Sequence, residues 1–340
     1  MAELPAVHPI GPPDSDWPTR GNIDATARKA WIDDGFVVLE RVFDAPTIAR
    51  YNATVAAVRA QVDDGKDAHG LGDRIGQLHQ KEPGLLELAA APRVLDFLRW
   101  ALGDEPVVMG SLNFERGTQQ EAHIDAIFFW PEPCWGMAGV WIALEDITSE
   151  AGPLFYIPGS HRWPFFHSDD VARGRPEVQR QRELARSEGA SPDAVDAAVG
   201  AVGNAWTEDF LALERARAGR RVSVSLRAGD AVVWHSLLAH GGGPRADPTR
   251  SRRSVVFHYL GREARLYTFQ QFAVTQRGGF DGLAPSVQPL GRYGTLAYRR
   301  FPYFVTYDVQ GRQLTHPLPE ATPPPVRAGW RGALARWRGR

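Results

Sequence analysis

The chain has 340 residues, with 39 Lys and Arg against 40 Asp and Glu, which gives a formal net charge of −1. This balance gives no compositional reason to expect nucleic-acid binding, and a 43% hydrophobic content suffices for one large globular domain or two small ones. The single cysteine, Cys134, excludes an intramolecular disulfide, and no stretch approaches the roughly 20 apolar residues of a membrane span. The N-terminus lacks the apolar run of a signal peptide, so we expect a cytoplasmic protein.

The first hundred residues carry mainly helical signals. Asp24 and Asp44 are candidate N-caps, and Gly35 is placed to end a helix. In chain order we predict an extended Pro-rich arm over 1–23, a helix over 24–34, a strand over 36–43, and helices over 45–63 and 85–102.

The remainder is dominated by short β patterns. Strands are predicted at 107–116, 123–130, 136–147, 152–161, 221–226, 230–240 and 252–260. Short strands separated by Gly and Pro turns predict a mainly β sandwich or barrel with flanking helices. We expect one domain over 24–315, in which the charged, Ala-rich segment 165–220 is a helical insert that forms a lid.

The segment 316–340 has a different composition. It reads as a Pro-rich linker followed by a basic tail in which Trp330, Leu334 and Trp337 share one helical face among arginines. A basic amphipathic helix of this kind binds anionic membrane surfaces, so we expect peripheral contact with the inner membrane surface and a lipid-linked substrate. The alternatives are a disordered tail or a helix packed on the barrel.

Two His-x-Asp motifs compete for a metal-binding role. His123 and Asp125 begin a predicted strand, where residues two apart share a face and converge on one ion. His167 and Asp169 lie instead at the start of the charged insert, where a solvent-exposed histidine is the simpler interpretation. The sequence therefore favours His123 and Asp125 as ligands.

A third ligand is expected from a distant strand, because two histidines and a carboxylate on one face form the preferred site of non-haem Fe(II) oxygenases. Three histidines compete for this position. His240 precedes three glycines that permit close backbone approach, whereas His235 lies on the opposite strand face and His258 is placed as a core histidine. Either Arg252 or Arg253 can supply a planar guanidinium for a carboxylate, but only one, because they point to opposite faces.

These segments together resemble the phytanoyl-CoA dioxygenase family of Fe(II)- and 2-oxoglutarate-dependent oxygenases. The resemblance covers roughly residues 25–265 and rests on DDGFVVLERVF, HID, WIALEDITSEAGPLFYIPGSHRWP, and GDAVVWHSLLAHGGGP followed by RRSVVFHY. It implies a double-stranded β-helix, that is, a jelly-roll, cupin-like barrel. It also implies that His123, Asp125 and His240 bind iron.

The same resemblance implies the co-substrate pocket. Arg252 is the better match for the 2-oxoglutarate anchor, Trp141 matches a position that lines the pocket, and Asn113 is a candidate polar contact. A buried core position is the alternative for Trp141. Gly242 and Arg245 depart from the family pattern, in which Ser and Asn are frequent, and this affects the details of 2-oxoglutarate binding.

The implied activity is O2-dependent hydroxylation of a small-molecule or lipid-linked substrate, with no nucleic-acid partner. Asp125 indicates hydroxylation, desaturation or cyclisation rather than halogenation, because related halogenases lack this carboxylate. A non-catalytic cupin-like binding protein is the alternative from another functional class. Several aromatic residues are predicted either to line a substrate pocket or to fill the core: Phe128, Phe129, Trp130, Trp135, Trp163, Phe165 and Phe166.

Overall fold

A computed structural model of the chain describes residues 9–12, 23–62, 74–274, 285, 290–307 and 313–318. The helices within this part are α1 (Ala25–Asp34), α2 (Ala45–Arg59), α3 (Leu78–Lys81), α4 (Pro92–Leu102), α5 (Ser168–Ala172), α6 (Pro176–Arg186), α7 (Pro192–Ala216) and α8 (Phe269–Val274). None of them is long and apolar enough to cross a membrane.

The described strands are mostly short. They are β1 (Phe36–Leu39), β2 (Arg74–Gly76), β3 (Pro106–Phe114), β4 (Phe129–Glu132), β5 (Met137–Ala143), β6 (Leu154–Tyr156), β7 (Val222–Ser223), β8 (Ala231–His235), β9 (His240–Gly242), β10 (Ser254–Gly261), β11 (Arg265–Thr268), β12 (Leu290–Tyr293), β13 (Leu296–Arg299), β14 (Tyr303–Tyr307) and β15 (Gln313–Pro317).

The predicted helix boundaries near the N-terminus have clear physical causes. Gly35 ends α1 with φ of 81°, a left-handed conformation that glycine adopts without a steric penalty. Asp44 begins α2, and its Oδ1 accepts a hydrogen bond from the backbone N–H of Thr47 at 2.9 Å. Asp24 precedes α1 as predicted, but its side chain makes no capping hydrogen bond.

The large sheet has the strand order β1-β8-β5-β10-β3-β2-β14-β15, with β12 and β13 attached beside β3. All seven residues of β5 are buried because both faces of this sheet are covered. Val140 and Ile142 face the core under the N-terminal helices, whereas Trp141 and Ala143 face the interior of the barrel. The alternation of these side chains is what separates the outer core from the functional interior.

Two smaller sheets close the barrel opposite the large one. One has the order β7-β6-β9, and the other pairs β11 with β4. An isolated antiparallel bridge joins His123 to His240 between them. The result is the jelly-roll barrel with flanking helices that the sequence predicts.

The segment 165–220 contains α5, α6 and α7, and these helices pack with α8 against the outer side of β4. Trp130 and Phe165 are buried in this contact together with Trp206 and Phe210 of α7. Trp135, Trp163 and Phe166 pack at the margin of the same cluster. Most of the aromatic group therefore fills the core, and Phe128, 39% exposed, is an exception. A lid function for the insert stays a prediction.

Several predicted elements differ from the structure. Residues 123–130 do not form one strand: His123 makes the bridge, a 3₁₀ turn covers Asp125–Ile127, and only then does β4 begin. The predicted strand over 230–240 is two strands separated by a turn, and α4 begins at Pro92 after two 3₁₀ turns. The strands from 290 onward were not predicted, and β15 extends to Pro317, which lies within the segment predicted to be a linker.

Most of the predicted arm over 1–23 and the amphipathic tail over 326–340 lie outside the described residues. The membrane contact expected of the tail stays a prediction.

Candidate metal centre

The two histidines of the predicted ligand set are held side by side by their own backbones. The N–H of His123 donates to the carbonyl of His240 at 3.0 Å, and the N–H of His240 donates back at 3.0 Å. Glycines make this approach possible: a Cβ on Gly241 would lie 2.6 Å from the Gln120 carbonyl oxygen, and one on Gly242 would lie 2.8 Å from the backbone N of Gln119. The triple glycine is therefore a packing requirement of the bridge.

Each histidine is also oriented by a backbone carbonyl. Nδ1 of His123 donates to the carbonyl oxygen of Glu121 at 2.9 Å, and Nδ1 of His240 donates to that of Leu238 at 3.0 Å. Because a carbonyl can only accept, these contacts place the proton on Nδ1 and leave Nε2 as the lone-pair donor. Both Nε2 atoms then carry a lone pair that can bind a metal ion, and that of His123 also lies 3.4 Å from Nε2 of Gln120.

Asp125 completes the set. One atom each from His123, Asp125 and His240 lie within 4.8 Å of one another, and the structure brings together the three residues that the sequence singles out. Oδ1 of Asp125 lies 3.9 Å from Nε2 of His123 and 3.6 Å from Nε2 of His240. The three donor atoms therefore face a common point, with Oδ1 as the oxygen on that side.

The other carboxylate oxygen is held by two residues whose role the sequence did not reveal. Nε1 of Trp234 donates to Oδ2 of Asp125 at 2.8 Å, and Nε2 of His258 lies 3.3 Å from the same oxygen. His258, predicted to be a core histidine, thus faces the carboxylate. With Oδ2 occupied in this way, Oδ1 is left free for coordination.

Gly139 makes the position of Trp234 possible. On adjacent strands, Gly139 is the cross-strand partner of both Trp234 and His258. A Cβ on Gly139 would lie 2.3 Å from Cε2 of the Trp234 ring, so the indole lies flat across β5 only because this residue has no side chain. The sequence signal was a glycine within an otherwise apolar strand, a pattern that marks close approach of a neighbouring group.

The electrostatics suit a cation. Burial disfavours a charged Asp125, but the charges of His240, His258 and His123 and the hydrogen bond from His258 outweigh burial, so the pKa of Asp125 lies far below its usual value. Burial and the charge of His240 lower the pKa of His123 to about 4. At neutral pH these residues are a carboxylate and a neutral imidazole, the forms that bind metal.

The two candidate arginines are on opposite sides of the sheet. Arg252 is fully buried, and its Nη1 donates to the carbonyl of Gly152 at 2.8 Å. Arg253 is exposed at the surface and pairs with Glu145 at 2.8 Å. Burial lowers the pKa of Arg252 to about 10, yet the guanidinium remains charged at neutral pH. Arg252 lines the same cavity as the metal-ligand residues, whereas Arg253 does not.

This cavity, of about 60 Å³, presents hydrogen-bond donors that no described residue satisfies. Nε of Arg252 and Nε1 of Trp141, two residues that line the cavity, are buried without a partner in the described part of the chain. The guanidinium carbon of Arg252 lies 5.8 Å from the centre of the Trp141 ring. Unpaired buried donors are costly, so this end of the cavity fits a ligand that brings anionic acceptor oxygens.

Asn113 is not brought to this cavity. Its neighbours Leu112 and Phe114 line the cavity, and side chains alternate along β3, so Asn113 points to the opposite face. There its Oδ1 accepts a hydrogen bond from the hydroxyl of Tyr51 at 3.0 Å, under α2. The expected contact of Asn113 with the co-substrate therefore has no support in this geometry.

The remaining histidine candidates are also placed elsewhere. His235 is fully buried under the N-terminal helices, where its Nδ1 accepts from the N–H of Leu237 at 3.0 Å and its ring lies 5.6 Å from that of Trp31. His167 is not exposed as expected, but is buried beside Trp130 and Phe165 at the start of α5.

Comparison with known proteins agrees with this architecture. The sequence model of the phytanoyl-CoA dioxygenase (PhyH) family matches residues 31–254. A phytanoyl-CoA dioxygenase domain-containing protein 1 of Danio rerio is 25% identical over 202 residues, which are 58% of this chain and 60% of that protein. The ectoine dioxygenase of Sphingopyxis alaskensis is 30% identical over 172 residues, or 46% of this chain and 54% of that enzyme. The matches thus span 60% or less of these two relatives.

Solved structures share the fold. The iron-bound structure of EctD from S. alaskensis superposes with a TM-score of 0.55 at 21% identity, covering 78% of this chain and 85% of that one. The epimerase SnoN in complex with Fe3+, alpha ketoglutarate and nogalamycin RO gives 0.53 at 20% identity, covering 80% of this chain and 96% of that one. With the family match over most of its length, this chain belongs to the phytanoyl-CoA dioxygenase family of Fe(II)- and 2-oxoglutarate-dependent oxygenases.

Proposed function

We propose that this protein hydroxylates an unactivated C–H bond of a small-molecule substrate, with His123, Asp125 and His240 as the Fe(II) ligands and Arg252 as the anchor of 2-oxoglutarate. The observation that supports it most directly is the shared cavity, in which three convergent metal-binding atoms lie beside a buried, incompletely paired arginine. A two-histidine, one-carboxylate set leaves coordination positions open for ligands other than protein.

When bound, Fe(II) and 2-oxoglutarate supply the O2 chemistry: substrate C–H, O2 and 2-oxoglutarate give the C–OH product, succinate and CO2. The protein contributes binding and orientation. Arg252 holds the far carboxylate of 2-oxoglutarate, and the unpaired N–H of Trp141 points a further donor into the same end of the cavity. The aromatic rings of Phe114 and Trp141 flank the guanidinium and shield this ion pair from water.

Asp125 supports hydroxylation over halogenation, because related halogenases lack this carboxylate and bind a halide in its place. Its Oδ2 is fixed by Trp234 and His258, so the carboxylate is built into the site rather than loosely placed.

The test is Fe(II)- and O2-dependent formation of succinate, followed by mass spectrometry of products from a substrate screen in chloride buffer. We expect succinate formation to be lost in His123→Ala and strongly reduced in Arg252→Ala, whereas Arg253→Ala, the matched surface control, retains it. A product with one added oxygen supports hydroxylation. Loss of two hydrogens would indicate the desaturating or cyclising variant, a chlorinated product would overturn the assignment, and metal binding without succinate would favour a non-catalytic binding protein.

A further inference from the structure

Strand β10 runs along the cavity that contains the metal-ligand residues. Arg252 lies two residues before this strand, and His258 lies six residues after Arg252, a span of about 20 Å in extended chain. Both line the cavity that contains the three metal-ligand residues. If 2-oxoglutarate occupies the Arg252 side, the His258 side is the one left for the molecule that is oxidised.

A second cavity, of about 180 Å³, lies on that side. Leu112 and His258 line both cavities, so the second cavity adjoins the metal-site cavity at these two residues. Its other walls come from β2 and the residue that follows it, from β3 and β4, and from Phe301 and strands β14 and β15.

We propose that this second cavity, the substrate chamber, binds the primary substrate, and that this substrate is a neutral ring compound bearing hydroxyl groups. The inference rests on the proposed function, and it adds the location and the chemical class of the substrate. It is carried by the position of the chamber, by one unusual glutamine and by the character of the walls.

The glutamine is Gln77, which follows β2. It adopts φ 62° and ψ 22°, a left-handed conformation that is unfavourable for a non-glycine residue. Its carboxamide lies against Gly110, where a Cβ would come within 3.0 Å of Nε2. Oε1 is buried and finds no hydrogen-bond donor within the described ranges. A ligand hydroxyl or N–H in the chamber supplies the missing donor.

The remaining walls combine rings with neutral polar groups. Phe129, Phe301 and Tyr303 provide aromatic surface, and Gln313 provides a second carboxamide at the exposed edge. None of the described residues that line the chamber is Asp, Glu, Lys or Arg, and His258, which also lines it, is directed at Asp125. A charged group would therefore find no partner among the described residues of the walls, and uncompensated burial of a charge is strongly unfavourable. The walls therefore select a neutral molecule with a flat face and hydroxyl groups.

The test uses proton NMR line broadening of two matched probes, phenyl β-D-glucopyranoside and its charged counterpart phenyl β-D-glucuronide. Full-length protein is loaded anaerobically with 2-oxoglutarate and either Co(II), which broadens nearby protons, or diamagnetic Zn(II). We expect the glucoside to broaden with Co(II) but not with Zn(II), and to bind at least tenfold more tightly than the glucuronide.

Substitutions then locate the site. Gln77→Met keeps the side-chain shape without the amide and is expected to weaken glucoside binding about three- to tenfold, which is the loss of one hydrogen bond. Gln313→Trp, at an exposed position, should block the chamber and abolish the broadening. Gln179→Met, the same substitution on the outer surface of α6, should change neither the glucoside affinity nor the line broadening.

Failure of the chamber is distinguishable from failure of the proposed function. If Co(II) and 2-oxoglutarate bind but the glucoside shows no broadening, or if the glucuronide binds equally well, the substrate class is wrong. If broadening persists unchanged in both Gln77→Met and Gln313→Trp, the location is wrong. If 2-oxoglutarate itself does not bind, the proposed function fails first.

Discussion

Trp234 offers the sharpest test of how the metal centre is built. Replacing it with Phe removes the indole N–H that donates to Oδ2 of Asp125 at 2.8 Å, while the ring that lies over Gly139 is largely retained. A hydrogen bond to a charged group contributes about 1.5–3 kcal/mol, and each 1.4 kcal/mol is tenfold. His258 remains on that oxygen at 3.3 Å, so the carboxylate is loosened rather than released.

We therefore expect Trp234→Phe to bind Fe(II) about 10- to 100-fold more weakly, the range typical of lost outer-shell partners. The assay is anaerobic competition for Fe(II) with a coloured chelator. Trp206→Phe is the matched control, because Trp206 is also buried and its Nε1 donates to the carbonyl of Phe166 at 3.1 Å, outside the metal centre. Both variants should lose similar thermal stability. Equal Fe(II) affinity in the two would refute the positioning role of Trp234.

Three further predictions follow from named contacts. Arg252→Lys should weaken 2-oxoglutarate binding at least tenfold, because lysine cannot reproduce the planar guanidinium, whereas Arg253→Lys should leave the affinity unchanged. Calorimetric titration of the metal-loaded protein measures both affinities. Equal effects of the two substitutions would contradict the assignment of Arg252. Gly139→Ala should displace the Trp234 ring and weaken metal binding at least as much as Trp234→Phe; unaltered binding would mean that the ring is not confined there. Burial and the charge of His161 lower the pKa of His235 to about 3 in the native state. Between pH 6.5 and 3, His235 is therefore protonated in the unfolded chain but neutral in the folded protein. The contribution of neutral His235 to the free energy of unfolding is complete above pH 6.5. It is lost as the pH falls toward 3, by up to about 1.4 kcal/mol per pH unit. In the metal-free protein, His235→Leu should reduce the pH dependence of the free energy of unfolding by that amount. Urea denaturation at several pH values measures it, and an unchanged pH dependence would show that His235 does not contribute.

The sequence was most informative where a residue type is demanded by local chemistry. Two histidines, a carboxylate and three consecutive glycines identified the strands that meet, because close backbone approach at Gly241 and Gly242 leaves a compositional trace. Gly35 and Asp44 likewise mark the boundaries of their helices through backbone conformation and capping.

Other features depend on which strands are neighbours, and a single sequence does not give that order. The choice between Arg252 and Arg253 required knowing which face of the strand is inside. The same information was missing for Asn113, whose predicted contact with the co-substrate the geometry does not support. His258 was assigned to the core because it lies between Phe257 and Tyr259 in an apolar strand. Its approach to Asp125 depends on the pairing of β10 with β5, which a single sequence does not show. The 3₁₀ turn that begins at Asp125 was hidden by apolar residues typical of a strand.

The central claim is that one cavity holds Fe(II) on His123, Asp125 and His240 together with 2-oxoglutarate on Arg252. The most direct measurement is the weak visible charge-transfer band of an oxo acid chelated to Fe(II), recorded on anaerobic protein without any substrate. We predict that the band forms in the wild type and in Arg253→Ala, is absent in His123→Ala, and needs much more 2-oxoglutarate in Arg252→Ala. Iron binding without the band, or a band indifferent to Arg252, would contradict this account.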